Sequence, residues 1–207
     1  AYLVEKPDFV AIHNKEFLGK YDLLKGIQEG GSVLLNTDLP ADQAFCAFPK
    51  REQEIIRKQK LKLYVIDAHK IVNELGLPGR INTPMQAAFF KIADILPMDL
   101  ITEKVFEAIK KTYGKKGDEV VEINKKSFNQ GLEKFTEAPI PSGDTACANM
   151  TPGMKAFEED KENAHMIERV IEKVSRLEGD DLKVSEVPYD GSFPTGTSRY
   201  EKRNIAT

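Results

Sequence analysis

Residues 61–86 read LKLYVIDAHKIVNELGLPGRINTPMQ. Their first seven residues, Leu61 to Asp67, are rich in β-branched and aliphatic side chains and predict a strand. Ala68 to Leu75 then follows with helical spacing. Pro78-Gly79 predicts a turn, because proline presets φ and glycine accepts a positive one. Thr83 is the expected N-cap of the next helix, with Pro84 at the first helical position and Gln86 completing a capping box. Arg80 and Asn82 fall just outside that N-terminus. Free N–H groups and the positive end of the helix dipole suit an anion such as phosphate there. A neighbouring guanidinium adds a bidentate partner. The ordinary alternative makes Arg80 a solvated surface charge and Asn82 a turn residue.

Strand and helix signals alternate on both sides of this stretch. Asp8 to His13 (DFVAIH) and Ser32 to Asn36 (SVLLN) read as short strands. Lys15 to Ile27 has near-helical spacing of Phe17, Leu18, Tyr21 and Leu24, and residues 37–48 read as irregular. Lys50 to Lys60 predicts a charged helix with Ile55 and Ile56 inward. Thr83 to Leu96 predicts a largely buried helix, closed by Pro97. Two amphipathic helices are expected over Thr102–Tyr113 and from Asp118 to about Phe135. Gly114-Lys115-Lys116-Gly117 between them reads as a turn with solvated lysines. The fold class expected is α/β: a layered domain with a parallel or mixed sheet, then a helix and a loop-rich tail. The helix, Glu162 to Leu177, would turn Met166, Ile167, Val170, Ile171 and Val174 inward. The tail from Glu178 carries Pro188, Gly191, Pro194 and Gly196, and would lie on another domain.

Composition narrows the chemistry. The 207 residues carry a formal net charge of -3, which argues against a nucleic-acid partner. No apolar run approaches the ~18–20 residues that span a bilayer. No signal peptide is recognisable. The chain opens without Met, as expected of a piece of a longer polypeptide. Its two cysteines, Cys46 and Cys147, lack the C-x-x-C spacing of a zinc or iron–sulfur site. Free thiols in a reducing cytoplasm are expected, with a disulfide as the alternative. No nucleophile triad and no G-x-x-x-x-G-K-[ST] loop is present. Asp67 could meet a ribose at a strand end, but without G-x-G-x-x-G a structural role is expected. Asn14 and Lys15 also follow a strand end, where open α/β sheets bind ligands. No residue is assigned a catalytic role or a metal.

Four pieces together resemble one family: HNKEFLGKYDLLKGIQEGGSVLLN (13–36), LYVIDAHKIVNELGLPGRINTPMQAAFFKIADILP (63–97), TYGKKGDEVVEINKKSF (112–128) and DGSFPTGTSRYEKRNIA (190–206). They are similar to pyruvate:ferredoxin (flavodoxin) oxidoreductase. The first three resemble the C-terminal part of its gamma domain. The last resembles the EKR segment, here Glu201-Lys202-Arg203. The resemblance implies residues 1–136 as gamma domain, 137–185 as a linker with one amphipathic helix, and 186–207 as EKR segment leading toward a ferredoxin-like domain. It implies a parent enzyme that converts pyruvate and coenzyme A to acetyl-CoA and carbon dioxide and reduces ferredoxin or flavodoxin. Thiamine diphosphate and [4Fe–4S] clusters would be held by other domains. Arg80 and Asn82 match positions through which the gamma domain helps bind coenzyme A. A homodimer in the cytoplasm, or in an anaerobic organelle of a protist, is further implied. Two other readings stay open: a stand-alone module for a phosphorylated nucleotide, and a structural adaptor without turnover.

Overall fold

Three apolar runs become neighbouring parallel strands. The computed structural model describes residues 4–19, 21–142, 147, 166–175 and 178–192. Strands β1 (Phe9–Ile12), β2 (Ser32–Asn36) and β3 (Lys62–Ile66) run parallel, with Val10 opposite Val33 and Val33 opposite Leu63. β4 (Phe135–Ala138) closes the order β1-β2-β3-β4 antiparallel to β3, so the sheet is mixed.

Both faces of the sheet are covered, which is why β2 is an unbroken apolar run rather than an alternating one. Val33, Leu35, Leu63 and Val65 point to one face and meet Phe45, Phe48 and Ile56. Leu34 and Ile66 point to the other and meet Ile71, Met85 and Ala88. The first layer holds α1 (Ala41–Ala44), the 3₁₀ turn Phe45–Ala47 and α2 (Lys50–Lys58). The second holds α3 (Ala68–Glu74) and α4 (Asn82–Ala93). α5 (Met98–Tyr113) and α6 (Asp118–Glu133) pack outside α4 around Ala87, Ile101 and Phe128.

α4 and α6 touch backbone to backbone. A Cβ at Gly131 would lie 2.5 Å from Pro84 O and 2.6 Å from Pro84 Cα. Only a residue without a side chain allows this approach, and it fixes the first turn of α4 against α6.

Several expectations are corrected. Residues 15–27 form one 3₁₀ turn, Lys15–Phe17, and then loop. Gly19 and Gly26 both take positive φ there, which no helix accommodates. Residues 41–47 are helical and supply core: Phe45 and Ala44 are fully buried. The helix expected to reach Leu96 stops at Ala93, because Asp94 turns left-handed at φ 45. Pro97 then stands at the N-cap of α5, which begins at Met98, four positions before Thr102. The chain around Phe135 and Thr136, read as helix end and linker, is strand β4. In the later helical segment, Ile167–Ile171 is π-helical and Glu172–Ser175 forms α7. Met166 and Val170 are buried there, but Val174 is exposed. Glu201-Lys202-Arg203, Pro194 and Gly196 lie outside the described residues.

The cysteines are not free thiols. Cys46 and Cys147 form a disulfide with Cα atoms 5.2 Å apart. β4 carries the chain back beside α2, where Pro141 O accepts from Arg57 Nε at 3.0 Å. That return, invisible in a separation of 101 residues, brings residue 147 to the buried turn at Cys46.

Candidate functional site

The turn before α4 forms as expected. Arg80 N–H donates to Leu77 O at 3.1 Å, and Gly79 has φ +76, the geometry of a type II turn with proline second and glycine third. The capping box does not form. Ile81 leaves the turn already helical, at φ -69 and ψ -13, so α4 starts at Asn82, ahead of Thr83. Pro84 becomes the third helical residue, where its missing N–H loses no helical bond. Met85 N–H makes a 3.1 Å bond to Ile81 O. No side chain caps this N-terminus.

Arg80 and Asn82 are both exposed. Among the described residues Arg80 forms no ion pair. Its guanidinium carbon lies 6.0 Å from the ring centroid of Tyr113, the last residue of α5. Lys116 Nζ lies 5.9 Å from the same centroid. Beside them runs a groove of about 620 Å³ between α4 and α5, lined by Thr83, Gln86, Phe90, Leu100, Ile101 and Tyr113. Tyr113 and the uncapped first turn of α4 thus line one cleft, and Arg80 and Lys116 approach the Tyr113 ring from outside its lining; the cation that lines the groove itself, Lys104, pairs with Glu103 and Glu107. The sequence reads Lys116 as a solvated turn lysine and Tyr113 as a helix end, and places neither in a site. A tyrosine and a lysine three residues apart around a glycine turn gave the only signal.

A second pocket, about 240 Å³ and lined by polar residues, sits at the carboxyl ends of β1, β2 and β3. It contains Asn14 and Lys15, together with Asn36, Asp38 and His69, which sequence reading passed over. Its polar groups largely serve one another. Asn36 Nδ2 donates to His13 O at 2.9 Å, and Asn36 Oδ1 accepts from Ala68 N at 2.9 Å. Lys15 Nζ meets Asp38 Oδ1 at 2.6 Å. That bond holds the Asp38 carboxyl below its usual range and raises the Lys15 ammonium. Asp67 Oδ1 accepts from Lys70 N at 2.8 Å and caps α3, the structural role expected of it. Asn14 Oδ1 accepts from Glu16 N at 3.0 Å.

Neither pocket fits an iron–sulfur cluster. The chain has two cysteines, and they are bonded to each other. Among the described residues no group of three or more His, Cys, Asp or Glu could hold a metal. No helix among them is long and apolar enough to cross a membrane.

Residues 1–134 match the family described as pyruvate ferredoxin/flavodoxin oxidoreductase, and residues 154–206 match EKR, a domain of unknown function. The pyruvate:ferredoxin oxidoreductase of Moorella thermoacetica is 40% identical over 211 residues, covering 100% of this chain and 17% of that protein. The pyruvate-flavodoxin oxidoreductase of Trichormus variabilis is 38% identical, over 99% of this chain and 17% of its own length. The crystal structure of the pyruvate oxidoreductase subunit PORC from Thermotoga maritima superposes with a TM-score of 0.51 at 27% identity, covering 66% of this chain and 67% of that one. The chain therefore spans about a sixth of the length of these two curated relatives. On the match of residues 1–134, the chain belongs to the pyruvate ferredoxin/flavodoxin oxidoreductase family.

Proposed function

We propose that this chain is a segment of a multidomain 2-oxoacid oxidoreductase, and that its part is to bind coenzyme A and to join domains. The parent enzyme takes pyruvate and coenzyme A to acetyl-CoA and carbon dioxide, and passes two electrons to ferredoxin or flavodoxin. Thiamine diphosphate and [4Fe–4S] clusters belong to other parts of the polypeptide. Residues 1–136 form the coenzyme A-associated unit, 137–185 connect, and 186–207 lead toward a ferredoxin-like domain. A homodimer in the cytoplasm, or in an anaerobic organelle, completes the reading.

One observation carries it: Arg80 is exposed, without an ion pair among the described residues, beside a helix start that no side chain caps. Coenzyme A brings a diphosphate and a 3′-phosphate. A guanidinium grips such oxygens with two parallel N–H bonds. Asn82, at the first helical position, adds an amide donor. A side chain held in an internal ion pair would have to break that pair first, and among the described residues Arg80 has none to break.

The test is Arg80→Gln in the full-length polypeptide, with coenzyme A affinity read by calorimetry. Loss of one charge-assisted contact, about 1.5–3 kcal/mol, weakens binding about 10- to 150-fold. Unchanged affinity in a folded variant refutes the assignment.

A further inference from the structure

We infer that Lys116 is the second cation of this site and holds the 3′-phosphate monoester of the ligand, with Tyr113 as the spacer between it and Arg80. The inference rests on the coenzyme A reading above and adds a residue and a specificity to it. Lys116 comes from a different element than Arg80. It closes the 3₁₀ turn Gly114–Lys116 between α5 and α6. Gly117 follows at φ +104, and its N–H bonds back to Gly114 O at 3.3 Å. This turn folds Lys116 back over the last residue of α5, so its ammonium reaches the Tyr113 ring at 5.9 Å. Arg80 reaches that ring from the turn before α4 at 6.0 Å.

Cations gather on an aromatic face because the ring quadrupole attracts them. Two on one ring repel each other, and among the described residues neither has an ion-pair partner. Asp118 and Glu119 open α6 just beyond the turn, yet neither pairs with Lys116. Among the described residues, no other cation lies on this ring. A ligand with two separated phosphate groups supplies the missing negative charge, one group to each cation. Arg80, near the free N–H groups of α4, suits the diphosphate, whose many oxygens use both fork and backbone. Lys116 stands exposed on the far element, as a compact point charge. It suits the monoester dianion, which stays partly hydrated.

The test compares Lys116→Gln, Lys116→Arg and Arg80→Gln in the full-length polypeptide, each titrated with coenzyme A and with 3′-dephospho-coenzyme A. Lys116→Gln is expected to weaken coenzyme A about tenfold or more while leaving the dephospho form unchanged. Lys116→Arg is expected to restore most of the loss. Arg80→Gln is expected to weaken both ligands. Equal effects of Lys116→Gln on both ligands, or none on either, overturn the inference. If Arg80→Gln keeps its effect in that case, the coenzyme A reading survives. If neither substitution matters, both fall.

Discussion

The two clefts of this domain put their charged residues to opposite ends. At the carboxyl edge of the sheet, Asn36 bonds to His13 and Ala68, Lys15 to Asp38, and Asp67 to the start of α3. Those groups spend their hydrogen-bonding capacity on joining strands to the elements that follow them. At the start of α4, Arg80 and Lys116 converge on Tyr113, and neither forms an ion pair among the described residues. The first cleft lies where open α/β sheets hold ligands, yet its chemistry is inward. The second lies off the sheet and keeps its charge for something else. The two clefts thus differ in whether their polar groups already have partners, and the proposed site is the one whose cations have none among the described residues.

This contrast can be broken by substitution. Asn36→Leu should cost most. It strands the Ala68 N–H and the His13 carbonyl, at about 1–3 kcal/mol for each unsatisfied group. Faster hydrogen exchange of the β2 and β3 amides would report it, while coenzyme A affinity per folded molecule stays constant. Arg80→Gln should show the inverse pattern: amide protection within about 0.5 kcal/mol of the parent and the affinity loss given above. Gly131→Ala joins the two effects. Its new Cβ meets the Pro84 backbone, and overpacking of this kind costs about 1–3 kcal/mol. Displacing the first turn of α4 should also weaken coenzyme A binding, and unaltered affinity would show the site to be independent of that contact.

The smallest effect belongs to Lys15–Asp38, an exposed pair worth less than about 1 kcal/mol. The Asp38 pKa is depressed in the folded chain. Its contribution is therefore full above about pH 4, the unfolded aspartate value, and fades as pH falls through the folded one. The Lys15 pKa is raised, so its share is full below about pH 10 and fades on further alkalinisation. Asp38→Asn should flatten both limbs in amide exchange measured across pH.

Much of the sheet could be read directly from the chain. β2 carries the buried run Val33-Leu34-Leu35, and β3 shows aliphatic and aromatic residues after Lys62; both are bounded by polar turns, and strands covered on both faces leave that mark. β4 left none: it has four residues, and it is stabilised by β3 some seventy positions earlier. The stretch Ala44–Phe48 is apolar throughout, so it had no period to betray its helical turns. Between Lys15 and Ile27 a period existed, but two left-handed glycines overrode it. At the site, the turn at Pro78-Gly79 was legible because its chemistry is local. Arg80 and Asn82 are exposed, which both the anion-site reading and the solvated-charge alternative require. Lys116 looked like one more solvated lysine, because its approach to Tyr113 and Arg80 depends on how α5 and α6 fold back on α4.

The bond between Cys46 and Cys147 closes a ring of chain that contains α2 through β4, and with it Arg80, Tyr113 and Lys116. A protease that nicks an exposed loop inside that ring, such as the one around Lys115, opens the circle without separating the pieces. The two halves would travel as one band on a denaturing gel until a reductant is added.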